Sequence, residues 1–139
     1  MIRKNLSLIL LVTILLVPAI HKILDQIPPN WFIQKFNDSI IGKIPGGISI
    51  SYYLIILLEF TGPILILIGL IQMNRKKKHE RFLSAGFSTC YLLFLTLTFG
   101  SFLVQDYDNG FKDFMYFIGV MLIEHLFFLN EKSVASDAK

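Results

Sequence analysis

Four apolar stretches, at residues 6–24, 50–73, 82–104 and 111–129, fill most of this 139-residue chain. At a helical rise of about 1.5 Å per residue, about 20 residues cover a hydrocarbon core of about 30 Å. With no water to bond them, backbone N–H and C=O groups in lipid must satisfy one another, so such stretches are helices. Composition agrees: 17% of residues are charged, against about 25% in soluble domains. In water, so short a chain could not cover its apolar surface with so few charges. The expected fold is all-α, an integral membrane four-helix bundle forming a single domain over residues 1–132. A disordered tail is expected at 133–139.

The placement of the basic residues sets an orientation. Arg3 and Lys4 precede the first stretch. Arg75, Lys76, Lys77, Lys78 and Arg81 separate the second from the third, and Lys132 and Lys139 follow the fourth. Only Lys22, Lys35, Lys43 and Lys112 fall in the other two connections. By the positive-inside rule both termini and the 75–81 loop face the cytoplasm, and an even number of spans agrees. The basic run is thus a topology signal rather than a nucleic-acid site. Residues 3–19 also carry the marks of a signal peptide, with Val17-Pro18-Ala19 as a cleavage-like triplet. The reading adopted is an uncleaved first span.

Between the first two spans, Pro28 and Pro29 stop one helix and open another. Phe32, Ile33, Phe36, Ile40, Ile41 and Ile44 recur at spacings of three and four, with Gln34, Lys35, Asn37, Asp38 and Lys43 opposite. With Trp31 at its head, this is a short amphipathic helix, suited to the membrane–water interface or to capping the bundle mouth. Pro45-Gly46-Gly47 ends it. Gly62 and Gly69 offer small faces to a neighbouring helix, and Pro63 should kink the second span.

Charged side chains inside the spans carry the functional question. Glu59 lies about ten residues into the second span. An unpaired carboxylate at that depth costs several kcal/mol or more, so it should be neutral, paired or facing a wet cavity. His21 and Lys22 end the first span on the same side of the membrane, within reach of it. Glu124 and His125, near the inner end of the fourth span, read as a snorkelling pair or as a second proton-accepting station. His21, His79 and His125 are too dispersed to hold one haem. Asp106, Asp108 and Asp113 read as turn chemistry rather than a metal site. Cys90 is a lone thiol, which excludes a CxxC couple or a thiolate cage and leaves core packing. No phosphate loop or hydrolase motif is present.

Taken together these features resemble the DoxX family of small four-helix bacterial membrane proteins. Ala19-Ile20-His21-Lys22 stands where that family shows a Gly-x-x-Lys-like pattern, and a Phe/Trp-rich segment follows at 31–36. Glu59-Phe60-Thr61-Gly62-Pro63, a Leu/Ile-rich run and Gly69-Leu70 look like its Glu-x-x-Gly-Gly, Leu-rich run and Gly-Leu. The glycine before Lys22 is absent, and Pro63 replaces the second glycine. The resemblance implies a multi-pass protein of the bacterial inner membrane, its named member being similar to a subunit of a thiosulfate:quinone oxidoreductase. It points to a subunit of a quinone-linked or redox-associated complex, not catalytic alone. Glu59, His21 and Lys22 would be its working residues, with quinone near Glu59 and Thr61, and a redox subunit or a second copy as partner. A non-catalytic scaffold is the alternative, and a small oligomeric transporter a more distant one.

Overall fold

Helices account for nearly all of the chain, and no strand occurs among the described residues. The structure, a computed structural model, describes residues 2–24, 28–75 and 79–136, with side chains for 5–24, 28–75 and 79–128. Asp25, the basic residues 76–78 and the end of the expected tail, 137–139, lie outside the described residues.

Among the described residues six helices follow in order: α1 Ile2–Leu24, α2 Asn30–Phe36, α3 Ile40–Lys43, α4 Gly47–Asn74, α5 Glu80–Leu103 and α6 Tyr107–Ser136. Three contain stretches long and apolar enough to cross a membrane: Asn5–Leu24, Gly47–Asn74 and Glu80–Leu103. The fourth stretch does not meet that description among the described residues, because Lys112, Asp113 and Glu124 interrupt it. It is nevertheless a long helix, and α6 continues to Ser136, past the expected start of the tail.

The long helices pack in succession, α1 on α4, α4 on α5 and α5 on α6, while α6 touches α1 only lightly. Leu8, Leu11, Leu15, Ile66, Leu83, Phe87, Cys90 and Leu93 form the centre of the core. Glycine sets the α4–α5 spacing. A Cβ on Gly69 would lie 2.6 Å from Leu83 Cδ2, and one on Gly86 would lie 3.1 Å from the Ile66 backbone nitrogen. Cys90 fills the space opposite Gly62, where an added Cβ would lie 3.1 Å from its Sγ. The thiol is buried and free, in keeping with a packing role. Both α1 and α4 run unbroken through their prolines, Pro18 and Pro63.

The expected amphipathic helix is two pieces. The chain turns at Asn37–Asp38, and Ser39 caps α3 by accepting from the Gly42 N–H. Phe32 and Phe36 point inward, Phe32 meeting the buried Tyr52 ring at 4.8 Å. Phe36 lies over Gly100 of α5. Trp31, Ile40 and Ile44 are more than half exposed. One face of this segment therefore packs over the helices and the other is exposed.

Candidate functional site

Lys22 and Glu59 meet as an ion pair, the ammonium donating to Glu59 Oε1. The register of α1 against α4 brings them together. At the other end of α1, Asn5 Nδ2 donates to Asn74 Oδ1 at 3.3 Å. The two contacts hold the helices antiparallel in one alignment, with the last turn of α1 beside the middle of α4. The first turns of α4 extend beyond α1, and α2 and α3 pack there. Glu59 is 5% exposed, and its second oxygen, Oε2, is buried with no hydrogen-bond partner.

The pair faces a cavity of about 290 Å³. Lys22, Glu59, Asp113 and Tyr116 supply its polar edge, and Leu15, Leu93, Phe94 and Leu97 form an apolar wall. Phe94 and Tyr116 stack at 5.7 Å. Exposed Ile14, Pro18 and Tyr116 also line the cavity, so its opening lies along the thin α1–α6 seam.

Of the residues singled out from sequence, Lys22 and Glu59 are joined. His21 is exposed and does not line the cavity. Neither does Thr61, whose hydroxyl donates back to the Leu57 carbonyl at 2.7 Å. Asp113, read from sequence as part of a turn, belongs instead to the cavity wall and accepts from Ser101 Oγ at 3.4 Å. One signal could have revealed it: a carboxylate within an apolar stretch needs the same explanation Glu59 did.

Glu124 also differs from expectation. It accepts a hydrogen bond from the Tyr91 hydroxyl, and Tyr91 lies halfway along α5. Glu124 is therefore opposite the middle of α5, and α6 continues for twelve further residues. His125, its neighbour, is exposed.

A second ion pair ties α2 to the α5–α6 turn. Lys35 of α2 donates to Asp106 Oδ2 at 2.5 Å. Asp106 ends one helix and starts the next. Its N–H bonds the Ser101 carbonyl at 2.9 Å, and Gln105 N–H bonds that of Phe102 at 3.1 Å, a Schellman closure of α5. Its carboxylate then accepts from the Asn109 backbone and side chain at the start of α6. The hydrogen bond from Lys35, then that from Asn109, holds the Asp106 carboxyl down at about 2.

No group of three or more His, Cys, Asp or Glu side chains that could hold a metal occurs among the described residues. No protein-family model, curated protein or solved structure matches this chain.

Proposed function

We propose that the protein is a multi-pass, DoxX-like membrane protein that binds a quinone-type headgroup in the cavity beside Lys22 and Glu59, as part of a redox-associated complex. In this reading all four long helices cross the bilayer. Helix α6 can do so despite its charges because Asp113 and Glu124 turn toward α5, bonding Ser101 and Tyr91. Burying a carboxylate in lipid is tolerable when it faces a helix partner or a cavity. Bacterial inner-membrane placement with both termini inside follows from the basic residues and the resemblance.

One observation carries the binding proposal: the Lys22–Glu59 pair stands at the edge of a cavity whose wall is otherwise largely apolar. A few polar groups set against an apolar lining are what ligand sites have in common. A cavity of about 290 Å³ is at the lower end of ligand sites, about 300–1,000 Å³. That suits one ring. The lining residues fit such a group. The apolar wall would hold the ring, Lys22 would donate to a ring oxygen, and the α1–α6 seam would admit a molecule dissolved in lipid. A quinone bound there would supply two-electron redox chemistry, for which an electron donor must come from a partner subunit.

The test uses a double substitution, Lys22→Met with Glu59→Leu. Replacing a buried ion pair by apolar groups of similar size is often close to neutral for folding, so the helices should stay assembled. Binding of a short-chain benzoquinone to the protein in nanodiscs should weaken at least tenfold. Unchanged binding would overturn the proposal. It would favour the alternative, a scaffold in which the pair only ties α1 to α4.

A further inference from the structure

A groove of about 300 Å³ separates the α2–α3 segment from the end of α5. Lys35, Asp38 and Ser39 line one side, and Leu103, Val104 and Gln105 the other. It shares no lining residue with the Lys22–Glu59 cavity.

Charge limits what this groove can hold. The Lys35 ammonium pairs with Asp106, whose carboxyl sits at about 2 and is ionised at neutral pH. An ammonium carries several N–H donors, so Lys35 can serve a second acceptor as well. Ser39 adds no free donor, because its hydroxyl donates to the Phe36 carbonyl at 2.7 Å. Asp38 is exposed at the α2–α3 turn. Its carboxylate accepts from the neutral Asn37 amide at 3.4 Å, and it joins no ion pair among the described residues. Asp38 is therefore the charge left unmatched. A ligand complementary to this groove brings acid oxygens for Lys35 and a cationic N–H donor for Asp38. A purely anionic ligand would meet the unmatched carboxylate, and a quaternary ammonium has no N–H to give.

Position selects among such zwitterions. The groove begins where α5, a membrane-length helix, ends at Leu103. Exposed aromatic rings gather around it. Trp31 is one turn before Lys35 on α2, and Phe102 and Tyr107 flank the α5–α6 turn with ring centroids 5.9 Å apart. Trp and Tyr collect where a bilayer meets water. The zwitterions concentrated at that depth are phospholipid headgroups, which charged pockets beside membrane helices can select.

We propose that the groove binds the phosphoethanolamine headgroup of a membrane lipid, with Lys35 donating to the phosphate and Asp38 accepting from the primary ammonium. This needs α5 to cross the bilayer and is independent of any ring ligand in the cavity.

Native mass spectrometry of the full chain in mild detergent tests it. The protein is supplied with equimolar phosphatidylethanolamine and phosphatidylcholine of identical acyl chains. Wild type should retain the ethanolamine lipid about fivefold over the choline lipid, an effect of the order of one exposed charge-assisted hydrogen bond. Asp38→Asn keeps the size and removes the charge, and should bring the two lipids to near parity. Asp38→Glu should keep the preference. Lys35 is left unaltered, because it also ties α2 to the turn. Equal retention of both lipids by wild type would overturn the proposal, as would a preference unmoved by Asp38→Asn. Stronger retention of phosphatidylglycerol would overturn it too, since plain anion attraction to Lys35 would then suffice. Free phosphoethanolamine binding as tightly as the lipid would assign the groove to a soluble ligand instead. A protein that stays soluble without detergent and retains no lipid would remove the membrane reading itself. Should Asp38→Asn fail to fold, the wild-type ratios decide.

Discussion

At the scale of single residues, Glu59 and Asp106 show how one carboxylate can serve structure in opposite surroundings. Glu59 is in the apolar interior and is held by Lys22 alone. Asp106 is at the α5–α6 turn, where Lys35 and Asn109 converge on it. Because its carboxyl sits at about 2, below the ordinary value of about 3.9, Asp106 stabilises the fold at pH above that ordinary value. The contribution fades as pH falls toward 2. An acid titration of thermal stability should therefore show wild type losing more than Asp106→Asn between about pH 5 and pH 2. Parallel curves would show that the Lys35 contact is worth nothing to the fold. Gln105 makes a related point. Its φ of 58° is in the left-handed region that costs a side-chain-bearing residue about 1 kcal/mol or more. Gln105→Gly should leave stability unchanged or raise it by up to about 1 kcal/mol, read as the midpoint of thermal unfolding in detergent.

Among the helices, the α4–α5 pair is the tightest element of the structure. Gly86 meets both the Ile66 side chain and the α4 backbone: Ile66 Cγ1 lies 2.6 Å from where its Cβ would be, the Ile66 nitrogen 3.1 Å and the Gly62 carbonyl oxygen 3.3 Å. The two backbone atoms cannot move without shifting α4. Gly86→Ala should therefore destabilise by about 1–3 kcal/mol, whereas Gly119→Ala, with nothing within 4 Å of its Cβ, should be harmless or favourable. Comparing the two variants by thermal unfolding checks the packing; equal effects would contradict it. The small faces at Gly62 and Gly69 were readable from sequence, since glycine within an apolar helix marks close approach. Their partner was not, because nothing local says which helix comes near. The break between α2 and α3 was equally hidden. Its apolar spacing continues through residues 37–39, but Ser39 competes for the backbone by capping α3, which ends the first piece.

For the molecule as a whole, the apolar runs made the all-helical architecture and three membrane-length helices legible in advance. A fourth span was expected on the same footing, but Lys112, Asp113 and Glu124 interrupt it, and those charges need neighbours that only the fold supplies. The same holds for the site. Depth alone marked Glu59, and chain order put Lys22 near it. Choosing Lys22 over His21 needed the α1–α4 register, and Asp113 needed the α5–α6 pairing through Ser101. Orientation is testable at this scale. With Cys90 replaced by Ser, single cysteines placed at Lys43 and at Lys132 should label from opposite sides of intact bacterial cells, Lys43 from outside. Labelling of both from one side would refute the proposed topology.

The interlock of Lys22 with Glu59 is the claim on which the cavity and its proposed ligand both depend, and a double-mutant stability cycle in detergent tests it most directly. Lys22→Met strands a buried carboxylate and should cost about 3–5 kcal/mol. Glu59→Leu should cost less, because the Lys22 ammonium is on a long stem and can reach toward water. The double variant should recover most of the loss. Additive single effects, or a Lys22→Met protein as stable as wild type, would mean that the two side chains do not hold each other within the membrane.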